Sequence, residues 1–277
     1  MPTPTIIVGY DGSSDSDTAA AWAGRMAHLC GGSIVVTIVA DKMESPRRPN
    51  WPESWWEEIE AQAQATLAEV GATKVTLERH YGKVVRTLVD RSRDASMLVL
   101  GSRGHGRVGE ALLGSVSRSA ARHARCPVVV IRATREAGQR RIVVGVDDSE
   151  PSLRALDFAC EQAAWTRDTV VLLRAWKPLT LPIDKQGHVP TSISKTLLTE
   201  EDALLKSVAK ARSRHPGVNV EGEFIAVRAG QALVDVSSTA VMVVVGSRGH
   251  NGLTETVLGS VSNEVLHHAR CPVAVVR

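Results

Sequence analysis

Short runs of aliphatic and β-branched residues recur along this chain, each followed by a longer stretch with apolar residues at helical spacing. Residues 5–10 and 141–146 are two such runs and read as strands. Behind the first, Ala19, Trp22, Ala23, Met26 and Ala27 fall three or four apart, which predicts a helix capped by Ser14 or Asp15. Behind the second, Ser149 is the predicted cap, and Pro151 falls in the first turn, where an amide proton is not needed. Residues 33–39 and 169–175 read as the next strands. A polar, proline-rich stretch then leads to helices near 54–70 and 199–213. Residues 74–80 and 218–227 are the third strands. After a short helix, 97–100 and 241–245 are near-continuous apolar runs, as in central parallel strands covered on both faces. A helix and a last apolar strand, 128–131 and 273–276, close each half.

Strands alternating with helices predict an α/β fold of two tandem, doubly wound domains, each with a parallel sheet of about five strands flanked by helices. The order of elements is the same twice because the sequence repeats. His123-Ala124-Arg125-Cys126-Pro127-Val128 returns 145 residues later as His268-Ala269-Arg270-Cys271-Pro272-Val273. Gly101-Ser102-Arg103-Gly104-His105 returns at the same offset as Gly246-Ser247-Arg248-Gly249-His250. Near the starts, Val8-Gly9-Tyr10-Asp11-Gly12-Ser13 matches Val144-Gly145-Val146-Asp147-Asp148-Ser149 at an offset of 136. The second half therefore carries nine extra residues (145 − 136) in its middle. The predicted domains are 1–133 and 140–277, joined by the polar stretch 133–140. Gly82 to Gly101 spans 19 positions and Gly230 to Gly246 spans 16, which predicts a third helix about one turn shorter in the second half.

The 277 residues are 43% apolar and 23% charged, so each half is long enough to bury a core. A net charge of +3 gives no reason to invoke nucleic acid or an anionic membrane. No run of 18 apolar residues predicts a membrane span, and no basic, apolar leader opens the sequence. Cys30, Cys126, Cys160 and Cys271 form neither a C-x-x-C pair nor a zinc-spaced cluster, as expected of free thiols in a reducing cytoplasm.

The chemistry is carried by a glycine-serine motif. Gly101-x-x-Gly104, nine residues, then Gly114-Ser115 follows the fourth strand and opens the last helix. The second half repeats it without a gap as Gly246, Gly249, Gly259 and Ser260. Glycines allow close approach of backbone to ligand, and the unpaired amides of a helix N-terminus favour phosphate. Ser115 and Ser260 add hydroxyl donors there, with Ser117 and Ser262 two residues further on. Asp11 and Asp147 each end a first strand. If strand order reverses between the first and fourth strands, aspartate and glycine loop face each other across the switch-point crevice, where ligands of open α/β sheets bind. Gly104-His105-Gly106-Arg107-Val108-Gly109 fits a dinucleotide pattern but follows the wrong strand, and the second half breaks it at Asn251 and Thr254, so NAD is not expected. No Walker A sequence occurs. Arg103 and Arg248, with His105 and His250, are phosphate contacts or solvated loop residues. Glu110 and Glu255 read as surface carboxylates rather than catalytic bases, and Trp51, Trp55 and Trp56 as packing or partner surface rather than an adenine flap.

The segment Val8 to Ser13, the twice-repeated G-2x-G-9x-G-S motif and the closing Cys-Pro-Val stretches resemble the universal stress protein family, in its tandem, ATP-binding form. The resemblance implies sheets in the order 3-2-1-4-5 and pairing through the last strand, here within one chain. It implies ATP, with or without Mg2+, as the ligand. Asp11 and the backbone at Val39 would hold the adenine-ribose end, Gly101 and Gly104 would line ribose and phosphates, and Gly114, Ser115, Val116 and Ser117 would hold phosphates, with Gly9 and Arg103 counted among the candidate binding residues. The second-half counterparts are Gly145, Asp147, Ala175, Gly246, Arg248, Gly249, Gly259, Ser260, Val261 and Ser262. The expected function is nucleotide-dependent regulation in a stress response, through an unidentified protein partner or a homodimer. The alternatives are a slow ATPase or phosphotransferase, against which stands the lack of an evident metal site and base, and a scaffold with a vestigial pocket.

Overall fold

The computed structural model describes residues 3–41, 51–104, 113–132, 140–176, 191–249 and 258–277. In the first half, β1 (Thr5–Tyr10), α1 (Ser14–Cys30), β2 (Ser33–Ala40), α2 (Glu53–Glu69), β3 (Val75–Tyr81), α3 (Val84–Arg91), β4 (Met97–Gly101), α4 (Ser115–His123) and β5 (Val128–Ile131) follow in turn. The second half repeats the series as β6 (Arg141–Gly145), α5 (Glu150–Thr166), β7 (Thr169–Ala175), α6 (Thr191–Arg214), β8 (Val220–Ile225), α7 (Ala229–Val236), β9 (Met242–Gly246), α8 (Ser260–His268) and β10 (Val273–Val276).

The ten strands form one sheet in the order β3-β2-β1-β4-β5-β10-β9-β6-β7-β8. Within each half the order is thus 3-2-1-4-5 and all pairing is parallel. The halves join where β5 and β10 pair antiparallel, Ala274 opposite Val129. Two apolar edges are thereby hidden from other chains.

Alternation along β1 shows why the layers form. Ile6, Val8 and Tyr10 face one core with Ala19, Ala23, Trp56 and, across the seam, Ala155 and Leu204. Ile7 faces the other with Leu88, Ala120, Leu233 and Val265. Helices α1, α2, α5 and α6 therefore cover one face, and α3, α4, α7 and α8 the other. Each aliphatic side chain fully buried this way contributes about 1.5–3 kcal/mol.

The pseudo-symmetry extends to the seam. Arg132 donates to the carbonyls of Leu266 and His267 at the end of α8. Arg277, its counterpart 145 residues on, donates to that of Arg122 at the end of α4. Each half thus caps the last helix of the other with a cation, where the helix dipole is negative.

Several expectations need correction. The cap of α1 is Ser13, not Ser14 or Asp15. Its side chain accepts from the Ser16 amide and its backbone is extended. Helix α6 begins eight residues before the predicted 199. The third helix is not shorter in the second half, since α3 and α7 both have eight residues and lie 145 apart. Gly82 precedes α3, whereas Gly230 lies inside α7, so the two glycines do not correspond. The nine extra residues fall between β7 and β8, where α6 is seven residues longer than α2 (24 against 17).

Candidate functional site

Topology positions the site. Strand β1 lies between β2, which leads outward to β3, and β4, which the chain reaches on its return. The crevice at the carboxyl end of that reversal is lined by whatever follows β1 and β4. After β1 comes Asp11, whose Oδ1 accepts from the Ser13 amide at 3.1 Å and the Ser13 hydroxyl at 2.6 Å. Asp147 repeats the arrangement with Ser149, at 3.1 and 2.5 Å. The turn requires a left-handed residue next to the aspartate, supplied by Gly12 at φ +80° in the first half. In the second it is Asp148, at φ +63°, one of the side chains that tolerates this region.

After β4, the loop brings Gly104 against Asp11. A β-carbon on Gly104 would lie 2.4 Å from Asp11 Oδ2. Gly249 stands in the same relation to Asp147, also at 2.4 Å. The anticipated facing of aspartate and glycine loop is therefore present twice. Gly114 comes back to the loop, its amide donating to the Ser102 carbonyl at 2.8 Å, as Gly259 does to Ser247. Both are N-cap residues without a side-chain hydrogen bond, so the first amides of α4 and α8, which have no intrahelical partner, receive no cap from the residue before them. Ser115 and Ser260 are exposed at these helix starts. Val39 continues one residue beyond Ile38, the last β2 residue paired with β1, and so borders the crevice. Ala175 likewise passes Leu173, the last β7 partner of β6. Val116 and Val261 are partly buried in the first turns of α4 and α8.

Other expected contacts have work inside the fold. A β-carbon on Gly101 would meet the Asp15 backbone at 2.7 Å, and one on Gly246 the Pro151 backbone at 2.8 Å, so these glycines let α1 and α5 approach the sheet. A β-carbon on Gly9 would instead meet the side chains of Leu100 and Leu88, and one on Gly145 that of Leu233. Ser117 and Ser262 are buried, and each spends its hydroxyl proton on a carbonyl, Gly101 at 2.7 Å and Gly246 at 2.6 Å. The reason is helical geometry: the third residue of each helix faces the sheet, not the crevice. Trp56 is fully buried and donates to the Tyr81 hydroxyl at 3.1 Å, with Trp55 stacked on its edge and Trp51 on Trp55. That is packing, as favoured from the sequence. His105, Gly106, Gly109, Glu110, His250, Asn251, Thr254 and Glu255 lie outside the described residues, as does most of the stretch joining the halves.

A cluster the sequence did not disclose sits beside the first cradle. Asp15, in the first turn of α1, accepts from the Ser102 hydroxyl at 2.7 Å and from Arg103 at 3.2 and 3.4 Å. Burial raises its pKa. The hydrogen bonds from Ser102 and Arg103 and the guanidinium charge together outweigh that and hold it below the ordinary carboxylate value. The same position in the second half is Pro151. There Ser247, only 2% exposed, has a hydroxyl with no hydrogen-bond partner among the described residues. The second half has its own network instead, in which Arg174 binds Asp148 at 2.7 Å and Glu200 at 2.6 Å. In the first half the corresponding residues are Ile38 and Gly12.

Fold and site together define a doubly wound α/β protein that carries the same switch-point crevice twice. A model of the universal stress protein family matches residues 3–132 and again 139–277. The chain is 36% identical to universal stress protein Rv2005c of Mycobacterium tuberculosis, over 98% of this chain and 96% of that protein. Universal stress protein Rv1996 of the same organism is 33% identical, over 98% and 94%. Among solved structures, a universal stress protein from Archaeoglobus fulgidus superposes over 100% of this chain and 99% of its own with a TM-score of 0.68, at 20% identity. The chain belongs to the universal stress protein family.

Proposed function

We propose that the protein is a two-site nucleotide-binding regulator. In this reading residues 1–133 and 140–277 each form a domain that binds one ATP, and occupancy changes the surface offered to a protein partner during a cytoplasmic stress response. The observation that carries it is the paired geometry of Gly104 against Asp11 and Gly249 against Asp147, each beside a helix N-terminus without a side-chain cap. The residues fit the ligand. A carboxylate at the end of β1 or β6 accepts hydrogen bonds from ribose hydroxyls or an adenine amino group. Main-chain amides and the Ser115 or Ser260 hydroxyl at the helix start donate to phosphate oxygens. Bound ATP would supply the phosphate charge that these donors hold in place. Mg2+, which keeps several waters and binds through phosphates and one or two carboxylates, would arrive with the nucleotide.

The test is to denature freshly purified protein and quantify the released nucleotide chromatographically, beside Asp11→Ala, Gly114→Ala, Asp147→Ala and Gly259→Ala. The expected result is close to two ATP per chain, reduced by about half by a change in either half. Absence of nucleotide together with no uptake of added ATP would overturn the reading.

A further inference from the structure

Beside the cradle the two halves differ in charge. In the first half the loop after β4 is tied back to α1 by Asp15, through the Ser102 hydroxyl and the Nε–Nη2 edge of the Arg103 guanidinium. Ser102 is also the residue whose carbonyl receives the Gly114 amide. The carboxylate is therefore one residue's reach from the start of α4, where phosphate would bind. In the second half Pro151 removes it, and the buried Ser247 hydroxyl has no acceptor among the described residues, although its carbonyl still receives the Gly259 amide.

We propose that Asp15 and Pro151 set the phosphate preference of the two sites. The first site, with a fixed carboxylate beside its cradle, favours ligands of low phosphate charge, and the second site favours the triphosphate. The proposal rests on the nucleotide-binding reading and gives its two ATP sites different preferences for phosphate charge. Its physical basis is Coulombic. A fixed negative charge near the phosphates opposes binding in proportion to ligand charge, and it also holds Arg103 away from the ligand. The second half adds Asp148 and Glu150 after β6, but each brings its own cation, Arg174 and Arg154, where the first half has Ile38 and Thr18, whereas Arg103, the partner of Asp15, has its counterpart in Arg248.

The test compares adenosine, AMP, ADP and ATP by titration calorimetry. Each site is read alone: the first in a chain carrying Asp147→Ala and Gly249→Ala, the second in one carrying Asp11→Ala and Gly104→Ala. The ratio of second-site to first-site affinity is expected to rise from adenosine to ATP, reaching about tenfold for ATP. Asp15→Asn, which keeps a hydrogen-bond acceptor for Ser102, should raise first-site ATP affinity several-fold and leave adenosine unchanged. Pro151→Asp should do the reverse in the second half. If Pro151→Asp fails to fold, Asp15→Asn carries the test alone. Equal ATP-to-adenosine ratios at the two sites, or no response of that ratio to Asp15→Asn, would overturn the proposal. Loss of all nucleotide binding in both single-site chains and in the parent would instead count against the function itself.

Discussion

At the scale of single residues, the repeated glycines separate into two kinds that the motif alone does not distinguish. Gly101 and Gly246 face helix backbone at 2.7 and 2.8 Å, and backbone cannot move aside cheaply. Gly104 and Gly249 face the end of a carboxylate side chain at 2.4 Å, which can rotate away. The expected outcomes therefore differ. Gly101→Ala should cost about 1–3 kcal/mol of stability, as overpacking does. Gly104→Ala should leave the melting temperature nearly unchanged and displace the Asp11 carboxylate, weakening nucleotide binding in the first half only. Thermal melts beside binding titrations check both, and the reverse pattern would show that the close approaches have been misassigned.

At the scale of elements, α1 and α5 occupy equivalent places but start with different chemistry. Both are capped by a serine that is itself held by the preceding aspartate. Asp15 then stabilises the first turn of α1 by accepting from Ser102 and Arg103, near the positive end of the helix dipole. Because its folded pKa is depressed, that stabilisation is fully present above the ordinary carboxylate range. It is lost as pH falls through the depressed folded value. Asp15→Asn should thus lower stability at neutral pH by about 1 kcal/mol, given the partial exposure of Arg103. The gap to the parent should close in acid below the folded pKa. Denaturant titrations from pH 7 to pH 2 check this, and a gap independent of pH would mean that the amide's shape, not the lost charge, is responsible.

At the scale of the whole molecule, the antiparallel meeting of β5 and β10 makes one sheet out of two repeats, with a core on each face that runs across the seam. It also places the carboxyl end of each half's last strand beside the end of the other half's last helix. Arg132 and Arg277 act across that seam on α8 and α4, the same helices whose starts form the cradles. Arg277→Ala should accordingly raise amide hydrogen exchange at the end of α4, far from it in sequence, and leave α8 protected. Arg132→Ala should do the opposite. Exchange that rises only in the half carrying the change would refute this crossed arrangement.

The sequence by itself determined the two α/β repeats, every strand to within about two residues, the N-cap of α5 and the facing of aspartate and glycine loop at the switch point. These follow from local periodicity, from turn chemistry and from a motif whose spacing is identical in both copies. The inner strands are the most legible, because residues buried on both faces leave unbroken apolar runs such as 97–100. Only the tertiary structure decided which helix start Asp15 would join to which loop, because that contact closes 87 positions with an ordinary serine as partner. It also decided that Ser117 and Ser262 turn to the sheet, that Gly101 serves α1, and that α3 and α7 are equal in length. Each of these depends on which face of an element meets which neighbour, a quantity fixed by packing in three dimensions and carried by no single stretch of chain.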